Sequence, residues 1–171
     1  MTGYVALLRA VNVGGTGKLP MADLKEMCVS LGFDGVRTYI ASGNVVFSTG
    51  LSEAEVKKAL EERLRAYAGK PVGVMVRTAR EMADVLSANP FPDEPGNRTV
   101  ALFLDAPPPA DTLDTVKNKR DEKVGLGTRE IYIAYGSGMG TSKLAIPAGA
   151  AGTARNMNTV AKLAELSRGL A

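Results

Sequence analysis

The sequence predicts an α+β protein made of two ferredoxin-like βαββα(β) repeats, residues 1–89 and 97–171, the second degenerate. Three observations carry that expectation. Strand and helix patterns in the first half follow the order β-α-β-β-α-β, the split motif. In the second half, Thr99-Val-Ala-Leu-Phe-Leu104 echoes Tyr4-Val-Ala-Leu-Leu-Arg9. Between the halves, Asn89-Pro90-Phe91-Pro92-Asp93-Glu94-Pro95-Gly96 suits neither helix nor strand.

Each element has a local reason. Val5 to Val11 alternates as a buried strand, with Val5, Leu7, Arg9 and Val11 on one face and Tyr4, Ala6, Leu8 and Ala10 on the other. Pro20 suits a first helical turn, and Met21, Leu24, Met27, Cys28 and Leu31 recur at helical spacing until Gly32. Val36 to Ala41 and Val45 to Ser48 form two strands joined at Ser42-Gly43-Asn44. Ser52 and Glu55 have capping-box spacing before a helix striped by Val56, Leu60, Leu64 and Tyr67. Val72 to Val76 supplies the fourth strand, and Thr78 with Glu81 caps a short helix through Leu86.

The second half repeats this less cleanly. A strand at Thr99 to Leu104 leads to a Pro-initiated helix around Ala110 to Lys117, then to strands near Lys123 to Leu126 and Glu130 to Tyr135. Asn156 to Ser167 closes as a helix with Met157, Val160, Leu163 and Leu166 on one side. Gly136 to Gly140 and Ala148 to Gly152 read as loops or poorly formed elements. Leu7, Leu24, Ile40, Val46, Leu60, Leu102, Ile131 and Val160 are the expected core.

Composition narrows the chemistry. The chain has 171 residues, 45% of them apolar, enough to bury a real core. It has no histidine and one cysteine, which excludes Ser-His-Asp and Cys-His catalysis, imidazole ligands, an internal disulfide and a structural zinc site made by one chain. A net charge of +3 permits an anionic partner without requiring one. No signal peptide or apolar span is evident, so a cytoplasmic protein is the expectation, with no cofactor and no membrane partner.

The blocks Ala6-Leu-Leu-Arg-Ala-Val-Asn-Val-Gly-Gly15, Lys18-Leu-Pro-Met21, Leu31-Gly-Phe33 and Val36-Arg-Thr-Tyr-Ile-Ala-Ser-Gly-Asn-Val-Val-Phe47 resemble the DUF1697 family, small bacterial proteins without an assigned function. Ser142-Lys-Leu144 and Thr153-Ala-Arg-Asn-Met-Asn-Thr-Val-Ala-Lys-Leu163 extend the resemblance. Met157 stands where similar proteins are expected to carry Trp. The resemblance implies a ferredoxin-like repeat fold and no catalytic residues.

Candidate ligand residues fall in three groups. Arg9 interrupts an apolar strand, where a charge needs a partner or solvent. It pairs with a buried acid, sits at an exposed strand end, or aims its fork at a ligand anion. Asn12, Gly14, Gly15 and Lys18 follow it; the glycine spacing fits neither the Walker nor the dinucleotide pattern, which leaves an anion nest or a flexible connection. Arg37, Tyr39, Ser42 and Asn44 form the second group, with Asn44 also readable as a turn residue. Ser142, Lys143, Arg155, Asn156, Asn158 and Thr159 form the third, at a helix start where Asn156 is the natural N-cap. Cys28 reads as a packed thiol.

These groups favour a small anionic ligand, a nucleotide or a phosphorylated or carboxylated metabolite, in a cleft between the halves. An RNA-binding module is the alternative, since the RRM shares this element order, but the chain lacks the basic and aromatic strand pattern. A third reading is a non-catalytic homodimeric interaction protein.

Overall fold

The computed structural model describes residues 1–12, 18–136 and 139–170. It is an α+β protein with two four-stranded antiparallel sheets. The chain divides into two compact units: Met1–Ala83 with Leu163–Ala171, and Asp84–Lys162.

The first unit runs β1 (Thr2–Leu8), α1 (Met21–Ser30), β2 (Asp34–Thr38), β3 (Asn44–Thr49), α2 (Glu53–Ala68) and β4 (Val74–Thr78), followed by α3 (Ala79–Ser87). Its strands lie in the order β2-β3-β1-β4, so the first strand is central and the crossovers split around it. Tyr4, Ala6 and Leu8 of β1 join Val45, Phe47, Val74 and Val76 in a core closed by Leu24, Met27 and Cys28 of α1 and Val56, Leu60 and Leu64 of α2. Each of the three fully buried α2 side chains contributes roughly 1.5–3 kcal/mol.

The caps form as their spacing predicts. Ser52 Oγ accepts from the Glu55 N–H at 3.2 Å while the Glu55 carboxylate accepts from the Ser52 N–H at 3.1 Å. Thr78 and Glu81 repeat the exchange at 3.1 and 2.8 Å. Lys57 and Glu61 form an i,i+4 pair at 3.2 Å. The pair also reaches the edge strand: Lys57 Nζ donates to the Val74 carbonyl at 2.5 Å and Glu61 accepts the Val74 N–H at 3.1 Å. Two backbone groups of an exposed sheet edge are thereby satisfied.

The second unit holds β5 (Thr99–Phe103), β6 (Lys123–Leu126), β7 (Glu130–Ala134) and β8 (Thr153–Asn156), leading into α4 (Met157–Arg168). The sheet order β6-β7-β5-β8 reproduces the first one. Val100, Leu104, Ile131 and Ile133 form its core, covered by Leu144, Ile146 and Ala148 from irregular chain rather than by a helix.

Several expectations are corrected. β1 ends at Leu8, so Arg9 does not interrupt a strand; it follows one and is exposed. β4 begins two residues later than expected, because Val74 to Thr78 are the residues that pair with β1. The helix expected around Ala110 to Lys117 is only a 3-10 turn at Thr112–Thr115, in a stretch where Pro107, Pro108 and Pro109 withhold backbone donors. Arg155 does not begin a helix; it lies on β8, a strand too short to show in the sequence pattern. Ile40 is 48% exposed at φ 52°, since β2 leaves the sheet after Thr38. Leu102 is half-buried. The other six expected core residues, from Leu7 to Val160, are fully buried.

Candidate functional site

A cleft of about 630 Å³ opens in the first unit between the end of β1, the end of α2 and the lead into β4. Val11, Leu19, Leu64 and Val72 give it an apolar wall, and Arg9, Lys18 and Lys70 bring three cations. None of its described lining residues carries a carboxylate.

Local structure sets each group. The Arg9 N–H donates to the Gly73 carbonyl at 2.9 Å, extending the β1–β4 ladder one step past the strand. A Cβ added at Gly73 would lie 3.6 Å from Arg9 Cβ, so the arginine stem runs beside this glycine. α2 ends at Gly69, whose φ of 73° lets its N–H reach the Arg65 carbonyl at 2.9 Å. Lys70 and Pro71 then turn back along the cleft. Lys70 also offsets the partial negative charge of that helix end.

Tyr67 is the one aromatic among the described lining residues. The stripe in the sequence puts it in the core; the structure leaves it 43% exposed. Its hydroxyl donates to Asp23 Oδ2 at 2.8 Å, tying the last turn of α2 to the first turn of α1. That hydrogen bond, with slight desolvation and the charge of Asp23, raises the phenol pKa.

Asn12 ties Leu19 and Ala41 together. Its φ is 55°, and its amide Nδ2 donates to the carbonyls of Leu19 and Ala41, both at 2.8 Å. Its Oδ1 accepts the Leu19 N–H at 2.6 Å. The side chain therefore clamps the backbone of Leu19 and Ala41 and is occupied in doing so. Gly14 and Gly15 lie outside the described residues.

The second expected group is a turn. Asn44 is fully buried, and its Nδ2 donates to the Tyr39 carbonyl and to Ser42 Oγ, both at 2.9 Å. The positive φ values of this turn belong to Ile40 and Gly43. Arg37 is exposed on β2.

The third group lies in the second unit and is spread over several jobs. Ser142 donates to the buried Glu122 carboxylate, which also accepts the Arg120 N–H at 2.5 Å. These bonds hold the Glu122 carboxyl below the usual carboxylate range. Lys143 is exposed. Asn156 Oδ1 accepts the Thr159 N–H at 2.9 Å, the expected N-cap, and Thr159 is buried. Asn158 packs on Gly96, where an added Cβ would sit 2.3 Å from its Oδ1. Arg155 is 6% exposed, with Nη1 bonded to Thr153 Oγ1 at 2.7 Å and to the Ala154 carbonyl at 3.0 Å. Burial brings its pKa down to about 10, which still leaves it charged at neutral pH.

Of the expected site residues, then, the cleft gathers Arg9 and Lys18. Lys70 and Tyr67 join them only through the fold, since nothing in their spacing relates them to the glycine-rich segment. Cys28 is buried and desolvation pushes its thiol up to about 12, as a packed cysteine should be. No described helix is long and apolar enough to cross a membrane.

The fold defines the class first: paired antiparallel α+β units with one repeated strand order. The model of the family described as a protein of unknown function, DUF1697, matches residues 1–132, and the chain belongs to that family. The chain is similar to the solved structure of the conserved bacterial protein SP0830 from Streptococcus pneumoniae, at 26% identity and a TM-score of 0.80 over 96% of this chain and 98% of that one. A comparison with curated proteins finds no match.

Proposed function

We propose that this protein binds a small anion-bearing metabolite in the cleft edged by Arg9, Lys18 and Lys70. The observation that carries the reading is three cations around one apolar concavity with no carboxylate among the described lining residues. Each cation brought to about 4 Å of a ligand charge contributes roughly 1–4 kcal/mol, depending on how far the cleft excludes water. Arg9 is the anchor, because its backbone is fixed to Gly73 and its planar fork suits phosphate or carboxylate. Localisation in the cytoplasm accords with a buried, reduced thiol.

RNA recognition in the RRM manner has less support. That mode stacks bases on exposed aromatics of the sheet. Here the β1, β3 and β4 face opposite α1 and α2 carries Val5, Leu7, Val46, Met75 and Arg77, all buried and none aromatic.

The test is a thermal-melting series with inorganic phosphate, pyrophosphate and citrate at two salt concentrations. Saturable stabilisation that Arg9→Met and Lys70→Met each weaken at least tenfold in apparent Kd is expected. Stabilisation unchanged by both substitutions would remove the cleft as the site.

A further inference from the structure

Resting on that anion reading, we infer that the ligand of the cleft is a nucleoside phosphate, its base lying on the ring of Tyr67 and its phosphate among Arg9, Lys18 and Lys70. The argument starts from what a bare anion would leave unused. A cleft of about 630 Å³ is within the range of pockets that enclose a whole small organic molecule, and an inorganic anion would leave its apolar wall facing water.

Tyr67 explains the rest of the volume. A large aromatic that is 43% exposed on the last turn of a helix ordinarily swings between rotamers. Here the bond to Asp23 fixes it across the gap from α2 to α1. The hydroxyl is engaged, so what the side chain offers a ligand is its ring, in a lining that also holds Leu64 and Val72. A held aromatic face next to apolar side chains accepts a flat ring without ordering cost at binding. Arg9 follows β1, Lys18 precedes α1 and Lys70 follows the end of α2 that carries Tyr67, so cations and ring line one cleft and a single ligand can meet both.

Three probes on the full chain separate the inference from the reading beneath it: inorganic phosphate, ribose 5-phosphate and adenosine monophosphate, measured by calorimetry. The nucleoside phosphate should bind at least roughly fivefold more tightly than ribose 5-phosphate, the increment a stacked base brings. Tyr67→Leu should erase that difference while leaving ribose 5-phosphate affinity unchanged, and Arg9→Met should weaken both. Tyr67→Phe keeps the ring and loses the Asp23 bond; it should retain part of the difference, which guards against a fold defect in the leucine variant. Equal affinity for the two organic phosphates, or a difference that survives Tyr67→Leu, overturns the inference and leaves the anion site standing. No binding of any of the three overturns both.

Discussion

Arg77 on β4 and Arg155 on β8 hold the same position in their respective sheets. Arg77 stands across from Val5 of β1, two residues past Met75, which faces Leu7. Arg155 stands across from Ala101 of β5, two residues past Thr153, which faces Phe103. Each guanidinium donates through Nη1 to the carbonyl of the preceding residue at 3.0 Å. On the other side of the central strand, Leu7 faces Asn44 and Phe103 faces Glu130, two further buried polar residues in matching places. The repeat thus survives as a polar pattern on one sheet face, while the helices that should cover the opposite face are kept in the first unit only. The register also shifts the sequence echo by one residue: Val5 corresponds to Ala101, and Val100 belongs to the other face.

Both arginines should be structural. Replacing either with Ala leaves a large void and strips buried acceptors of their donor, so Arg77→Ala and Arg155→Ala should each cost about 3 kcal/mol or more. Urea unfolding measures this. A cost under about 1 kcal/mol at either position would show that the matching positions do not have matching roles.

Asn12 should be worth more to stability than its half-exposed setting suggests. Asn12→Ala removes three side-chain hydrogen bonds to backbone, about 2–4 kcal/mol in sum, and puts a residue at φ 55° that favours it less. Asn12→Asp retains the acceptor for the Leu19 N–H but loses both donors, and should recover only a minor part. Equal stability of the Asp variant and the parent in thermal melting would contradict the clamp.

Neighbouring positive φ values should respond in opposite directions. Ile40 is β-branched, exposed and at φ 52°, so Ile40→Gly should stabilise by about 1 kcal/mol as the strain is relieved. Gly43 has φ 91°, and a Cβ there would lie 2.6 Å from Val11 Cγ2 and 2.9 Å from Leu8 Cβ. Gly43→Ala should therefore destabilise by about 2 kcal/mol or more. Paired denaturation curves decide it, and a stabilising alanine at Gly43 would mean the turn is built differently.

Alkaline pH should weaken the fold through Cys28 and Tyr132. Burial raises the Cys28 thiol from 9.0 to about 12, and burial with Glu130 nearby raises Tyr132 from 10.0 to about 12. In both cases the neutral form is favoured by folding. Their contribution is complete below pH 9 and is lost as pH rises from about 9 to 12, because the unfolded chain ionises first. Cys28→Val should flatten the stability curve between pH 9 and 10, where only the cysteine of the two has begun to titrate in the unfolded state. The same burial should make the thiol inert to alkylation at pH 8 until the protein unfolds. Rapid labelling of the folded protein would refute the buried placement.

The sequence by itself determined what neighbouring residues decide together. Ser52 with Glu55, Thr78 with Glu81, and Asn156 with the Thr159 N–H all cap within three residues, so composition and spacing sufficed. The stripes of α1 and α2 were equally plain, because a helix shows its period in its own sequence. Tertiary structure decided where strands stop and what polar side chains hold. β1 ends at Leu8, the last residue of its register with β4, although the apolar pattern continues to Val11. Asn12 became a clamp only when Leu19 and Ala41 came within reach, across 7 and 29 residues. Arg155 became buried because four residues paired with β5, too few for a period to show. The cleft joins Arg9, Lys18, Tyr67 and Lys70 from separate stretches of chain. Hydrogen-bond partners and concavities are made by segments distant in sequence, so no local spacing of residue types encodes them, whereas caps and stripes are local and are legible before folding.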